Sequence, residues 1–208
     1  MEGSFKVKNY PMIAGFILGN LWILHLIFFG DAPDLAWAKD LSKAIPAAVA
    51  ATILAVAISE LISGEAKAVL VFRKRRNPLP GSRAFSEFGP KDPRVNMNVI
   101  ASRYGNPSLP VLPDEQNKLW YKILKLNESR PSVGYAHQYY LLMRDLTFVT
   151  VLLGIATIIF AVATHASMHV CLIVGAMLLG ELLLAMRSAT SLAYDLVRNA
   201  LAEESAKP

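Results

Sequence analysis

Four long apolar segments constrain the fold of this chain more than any other feature of its sequence. They run over Tyr10–Gly30, Ala44–Gly64, Leu146–Thr164 and Met168–Met186. Each is close to the ~20 apolar residues that a helix needs to cross the hydrocarbon core of a bilayer. Backbone groups in lipid are satisfied only in helices or closed barrels, and these segments lack the alternation of barrel strands. We therefore predict an all-α integral membrane protein with four transmembrane helices.

The basic residues indicate the orientation of these helices. The formal net charge is +5, with only 18% charged residues and 54% hydrophobic residues, which is too apolar for an ordinary soluble domain. Lys and Arg residues precede the first and third segments and follow the second and fourth, whereas the two short connections carry only two lysines between them. The positive-inside rule then places both termini and the long central segment in the cytoplasm. We expect a multi-pass membrane protein with this orientation.

This topology divides the chain into four parts. Residues 1–64 form a first transmembrane hairpin, 65–145 a cytoplasmic segment, 146–187 a second hairpin and 188–208 a cytoplasmic helical tail. The cytoplasmic segment has 14 Lys or Arg against 7 Asp or Glu, and its eight prolines favour short helices and turns. Its basic run Arg73, Lys74, Arg75 and Arg76 is expected to bind lipid headgroups or a partner, as juxtamembrane basic clusters do; we do not expect it to bind nucleic acid.

One amphipathic helix is predicted inside the cytoplasmic segment, near residues 114–127. Acidic residues open it, and Leu119, Trp120, Ile123 and Leu124 then alternate with lysines at helical spacing. Three placements are open. The helix could pack against the rest of the protein, lie on the membrane surface, or present Trp120 and Tyr121 to a cytosolic protein partner.

Three titratable side chains interrupt the apolar segments. Glu60 and Glu181 lie at similar depths, with Glu181 roughly 20 Å from the outer end of its helix at ~1.5 Å per residue, and His25 lies nearer the outer face. Neither glutamate has a basic residue one turn away in its own helix. They could line a polar pathway for protons or cations, or they could hold helices together as neutral or hydrogen-bonded groups.

Small residues in the apolar segments indicate where helices could approach closely. Gly15 and Gly19 form a G-x-x-x-G pattern on the first segment, and Gly175 and Gly180 lie on the fourth. Such glycines favour helix packing in lipid, either inside one bundle or between copies in a homo-oligomer. The single cysteine, Cys171, excludes a disulfide framework and a cysteine-based metal site, and we expect neither a metal nor a cofactor.

Catalytic signatures are nearly absent from the sequence. There is no glycine-rich phosphate loop, nucleophile elbow or zinc-protease motif. Arg130 and His137 form an R-x6-H pattern that resembles the arginine–histidine pair of HEPN-type ribonucleases, in which the imidazole would act as an acid or base. A proline follows the arginine here, where that family usually has a polar residue. A membrane-tethered ribonuclease is therefore the third of our hypotheses.

The overall plan resembles the small multi-spanning effectors of bacterial anti-phage defence systems. The resemblance rests on four short spans, a basic segment between the second and third, and no catalytic signature; it carries over no functional residue. It implies a multi-pass protein of the bacterial inner membrane that oligomerises and perturbs this membrane when a cytosolic sensor activates it. Our first hypothesis is such an effector or scaffold, whose cytoplasmic segment receives a signal or partner. The second is a small proton or cation channel that uses Glu60, Glu181 and His25.

Overall fold

The computed structural model describes residues 2–30, 57–58, 61–105 and 108–207, which form helices and turns without a strand. The helices are α1 (Glu2–Phe29), α2 (Gly64–Phe72), α3 (Met97–Tyr104), α4 (Pro113–Asn127), α5 (Pro131–Ala163) and α6 (Met168–Ser205). Three single helical turns, Pro80–Arg83, Ala84–Phe88 and Gly89–Lys91, follow one another between α2 and α3. The fold is therefore all-helical over the part of the chain described.

Three of these helices are long and apolar enough to cross a membrane. They are α1 from Phe5 onward, α5 and α6. The second predicted span, Ala44–Gly64, lies mostly outside the described residues, so the predicted count of four stays a prediction. With 33 and 38 residues, α5 and α6 exceed the ~20 residues that a bilayer core requires. Each therefore continues well beyond its apolar segment as a polar extension.

The chain divides into two compact units. Residues 1–63 and 145–185 form the first, which we call the span unit; residues 64–144 and 186–208 form the second, the polar unit. The apolar core of the span unit joins α1, α5 and α6. It is built on Leu24, Val174 and Leu178, with Ile27, Phe28, Leu153, Val170 and Met177 packed around them.

A row of aromatic rings forms part of the core of the polar unit. Phe72 stacks on Tyr140 and on Tyr194 with ring centroids 6.4 and 6.3 Å apart, and Tyr194 contacts Phe88 at 4.9 Å. These ring-centroid distances lie within the range that is favourable for aromatic pairs. The row thus ties α2, α5, α6 and the Ala84–Phe88 turn together.

The proline-rich segment folds back onto α4 through one close contact. A Cβ atom on Gly81 would overlap the ring of Trp120 and lie 2.5 Å from Asn117 Oδ1. Only glycine fits there without displacing its neighbours. Gln116 of the same helix accepts hydrogen bonds from the backbone N–H groups of Phe85 and Ser86 at 3.1 and 3.2 Å. The inner face of α4 is therefore fixed to the turns that precede it.

Candidate functional site

The structure places Glu181 of α6 beside Asn20 of α1, inside the apolar span unit. Asn20 is 3% exposed, and its side chain forms a hydrogen bond with the Glu181 carboxyl group. The Asn20 amide also donates to the backbone carbonyl of Phe16, one turn earlier, at 3.2 Å. The sequence singled out Glu181 and gave Asn20 a place near the middle of the first segment, but it did not predict that the two side chains meet.

Hydrogen bonding at this pair is incomplete. Glu181 Oε2 and Asn20 Oδ1 are both buried and have no hydrogen-bond partner among the described residues. Residues 146–163 of α5, which pack in the same unit, contain no titratable side chain. Two buried acceptor atoms therefore lie in an apolar setting without a described donor.

The other predicted intramembrane residues are not joined to this pair by a described contact. His25 lies five residues after Asn20 on α1, about 7.5 Å further along the helix axis, and its ring contacts Phe29 with centroids 4.9 Å apart. Glu60 lies outside the described residues. The polar pathway through all three side chains stays a prediction.

The predicted packing glycines face open space within the described structure. No described atom lies within 4 Å of a Cβ added to Gly15, Gly19, Gly175 or Gly180. They therefore do not mark a close approach between described helices. Packing against another copy of the chain is still a prediction for these faces.

A second buried carboxyl group, Glu204 near the end of α6, is surrounded by donors in the polar unit. It accepts hydrogen bonds from Lys207 Nζ at 2.6 Å, Asn127 Nδ2 at 2.7 Å and the Tyr104 hydroxyl at 2.9 Å. Arg103 donates to the backbone carbonyl of Glu204 at 2.8 Å. This one carboxylate thus joins α3, α4 and α6.

These contacts shift the pKa values of two side chains. Burial raises the pKa of the Glu204 carboxyl group, but hydrogen bonds from Lys207, Asn127 and Tyr104 outweigh burial and lower the pKa below its usual value. Burial and the hydrogen bond to Glu204 raise the pKa of Tyr104 to about 12. Glu204 is therefore an ionised structural group, which the sequence did not reveal because an acid near a chain end is typical of a solvated surface.

The predicted Arg130 and His137 pair is held by two separate acids. His137 is 4% exposed, and its Nδ1 lies 2.9 Å from Oε1 of the buried Glu128, which also accepts hydrogen bonds from Lys125. The Arg130 side chain is 55% exposed and lies 3.8 Å from Glu203. Arg130 and His137 are therefore not joined by a described contact, and the ribonuclease role of this pair stays a prediction.

The outward face of α4 carries exposed basic and aromatic side chains. Lys118, Tyr121 and Lys122 are exposed, and Lys125 Nζ lies 5.4 Å from the centroid of the Tyr121 ring. The neighbouring Trp120, predicted to face a partner or headgroups, is instead buried against Gly81. Of the two aromatic residues that the sequence offered, only Tyr121 is therefore presented at the surface.

The basic run Arg73, Lys74, Arg75 and Arg76 is exposed directly after α2. Its first residue, Arg73, and the following Asn77 have left-handed backbone conformations, with φ of 53° and 49°. Such conformations are uncommon outside glycine and cost about 1–3 kcal/mol when they persist. The run therefore forms a turn of defined shape, compatible with the predicted headgroup or partner binding.

Among the described residues, no group of three or more His, Cys, Asp or Glu side chains could hold a metal ion. Comparison with known proteins adds no further assignment, since no family model, curated protein or solved structure matches the chain.

Proposed function

We propose that the protein is a membrane-anchored effector or scaffold whose polar unit receives a protein partner through the outward face of α4. The observation that carries this proposal is the division of α4 into two faces. Trp120, Ile123 and Leu124 are buried, whereas Lys118, Tyr121 and Lys122 are exposed on the same helix. A rigid helix that presents an aromatic ring among lysines is suited to binding another protein.

The positive charge and the aromatic ring on this face of α4 indicate which kind of partner it binds. Lys118 and Lys122 flank Tyr121, and Lys125 lies over its ring while pairing with Glu128. Tyrosine side chains are frequent anchors at protein interfaces, and clustered positive charge speeds the approach of an acidic partner. An acidic, partly apolar segment of a cytosolic protein fits this face best.

The spans supply the anchor in this proposal. The distribution of basic residues supports an orientation with both termini in the cytoplasm, which gives α4 access to cytosolic proteins. The bacterial inner membrane as the location comes from the architectural resemblance. Assembly of several copies, and membrane perturbation in phage defence, extend the proposal on the architectural resemblance alone.

Site-specific photocrosslinking in membranes of the host tests the docking face. A photoreactive amino acid replaces Tyr121, and a control replaces Tyr135, which is 62% exposed on α5 of the same unit. We expect a discrete protein adduct from position 121 that is absent from position 135. The adduct should disappear in the Lys118→Glu, Lys122→Glu double variant and persist in Lys91→Glu, another exposed lysine.

Three results would contradict this proposal. They are adducts at position 121 that contain only lipid, the same adduct from both positions, or a protein adduct that survives reversal of both lysine charges.

A second candidate function is a proton or cation pathway through the span unit. The contact between Asn20 and Glu181 favours it, because polar groups inside spans commonly line such pathways. The test is proton and cation flux in liposomes that contain either the wild type or a Glu60→Gln, Glu181→Gln variant of the same oligomeric state. Flux that disappears in the variant supports the pathway. Equal flux in both proteins would show that the two glutamates do not take part in it.

A further inference from the structure

The Asn20 and Glu181 pair contains more hydrogen-bond acceptors than donors. An ionised carboxylate only accepts, whereas a carboxylic acid has an O–H group that donates. With Glu181 ionised, the buried atoms Glu181 Oε2 and Asn20 Oδ1 would both lack a donor among the described residues. One proton on Glu181 corrects this, since it turns Oε2 into a donor and Asn20 Oδ1 is an acceptor in need of one.

The alternative source of compensation is a nearby cation, and the described span helices do not supply one. One turn before and after Glu181 lie Met177, Leu178, Leu184 and Ala185, and one turn from Asn20 lie Phe16, Ile17, Ile23 and Leu24. Besides Glu181, the titratable side chains in the described apolar segments of α1, α5 and α6 are Tyr10, His25, His169 and Cys171. No described basic group faces the pair within one turn.

We infer that Glu181 is a proton-binding site, held as a neutral carboxylic acid that donates from Oε2 while the Asn20 amide donates to its other oxygen. A carboxyl group in this state satisfies its own hydrogen bonds and avoids placing a charge among apolar side chains. This inference depends on neither function proposed above, because a neutral Glu181 could serve as helix contact or as a proton carrier.

A protonated carboxyl group in an apolar region has a diagnostic reactivity with hydrophobic carbodiimides such as dicyclohexylcarbodiimide. The acid proton moves to one carbodiimide nitrogen, and the carboxyl oxygen bonds to the central carbon. The O-acylisourea then rearranges to an N-acylurea, so that the whole reagent is added and nothing leaves. Ionised carboxylates at the surface react poorly, because this first proton transfer is unfavourable for them.

The experiment treats the full-length protein in liposomes at neutral pH with dicyclohexylcarbodiimide and locates the adduct by peptide mass spectrometry. We expect labelling of Glu181 in the wild type and loss of that adduct in Glu181→Gln. The matched control, Glu115→Gln, removes an exposed carboxyl group and should leave labelling of Glu181 unchanged. Absence of the adduct at Glu181 in folded wild type would overturn the inference.

Two further experiments test whether Glu181 binds a proton or a metal cation and whether Asn20 is its hydrogen-bond partner. If Na⁺ protects Glu181 from labelling and an equal concentration of K⁺ does not, then Glu181 Oε2 and Asn20 Oδ1 bind a metal cation. That result would overturn the proposal of a proton-binding site. In Asn20→Leu the adduct should persist, while the infrared carbonyl band of the protonated acid should move to higher frequency because it has lost its hydrogen-bond partner. An unshifted band would show that Asn20 does not bind this acid.

Discussion

The span unit and the polar unit each contain a glutamate of α6 with buried carboxyl atoms, but the surroundings of the two differ. The carboxyl group of Glu204 in the polar unit receives four side-chain hydrogen bonds, two of them from the cationic groups of Lys207 and Arg103. Glu181 in the span unit receives one from Asn20 and retains an unpartnered oxygen atom. A buried acid supplied with donors acts as an ionised structural link, whereas a buried acid short of donors needs a proton.

The same contrast extends to glycine. Gly81 in the polar unit is enclosed by Trp120 and Asn117, whereas no described atom approaches a Cβ placed on Gly180 in the span unit. The polar unit therefore depends on close tertiary contacts. The described helices of the span unit leave glycine faces open, which is compatible with assembly between copies.

The largest expected effect is that of Glu204→Ala. It leaves Asn127, Tyr104 and Lys207 without their shared acceptor, and each hydrogen bond to a charged group contributes about 1.5–3 kcal/mol. Urea unfolding of the purified protein in detergent measures the change, with Glu203→Ala as the more exposed control on the same helix. Equal effects in both variants would mean that Glu204 is not a structural link.

Tyr104→Phe tests the same link by its dependence on pH. The hydroxyl group donates to an ionised acid, so its loss should destabilise the protein by about 1.5–3 kcal/mol at pH 8. The pKa of Tyr104 rises from 10.0 to about 12 in the folded protein, so the stabilisation it brings is complete below pH 10. It is lost as the pH rises through about 12.

Unfolding measured across the alkaline range should therefore show this loss of stability in the wild type and not in Tyr104→Phe. At the acidic end, the lowered pKa of Glu204 means that its contribution is present above its unfolded pKa and is lost as the pH falls through the folded value. If the Tyr104→Phe variant also loses stability at alkaline pH, the loss is due to a group other than Tyr104.

Gly81→Ala and Gly180→Ala compare the packing of the two units directly. The methyl group at position 81 overlaps Trp120 and should cost about 1–3 kcal/mol, as overpacking does. At position 180 we expect no loss, and a gain of up to about 1 kcal/mol from the better helix propensity of alanine. If Gly180→Ala disrupts a homo-oligomer in size-exclusion chromatography with light scattering, the open glycine faces are contacts between copies.

The smallest effect is expected for Asn20→Leu. Leucine removes the neutral hydrogen-bond partner of the Glu181 acid but supplies apolar surface in its place, so stability should fall by about 0.5–1.5 kcal/mol, the net contribution of a neutral hydrogen bond. The matched change Asn127→Leu removes a donor from the ionised Glu204 and should cost about 1.5–3 kcal/mol. Thermal unfolding in detergent measures the stability of both variants. A greater loss of stability in Asn20→Leu than in Asn127→Leu would contradict the proposed difference between the two acids.

Much of the fold could be predicted from the sequence because its signals are local. The apolar lengths of α1, α5 and α6 predict spans, and the spacing of Trp120, Ile123 and Leu124 predicts the amphipathic α4. The long polar extensions of α5 and α6 follow from the absence of helix breakers after Pro131 and after Met168.

The candidate sites could be predicted only in part, because they depend on residues distant in the chain. Glu181 stood out as a charge among apolar residues, but Asn20 lies 161 residues earlier and has no charge to reveal it. The sequence left the placement of α4 open, because the burial of Trp120 depends on Gly81 in a turn that no periodicity predicts. Glu204 was missed because its donors come from three separate parts of the chain.

The central claim is that the two buried acids of α6 differ in protonation, and infrared difference spectroscopy tests it most directly. Spectra of the wild type minus Glu181→Gln and of the wild type minus Glu204→Gln are recorded at neutral pH in the same lipid. We predict that the first shows a lost carbonyl band of a protonated carboxylic acid and the second shows only lost carboxylate bands. Carboxylate bands alone in the first spectrum would contradict the account.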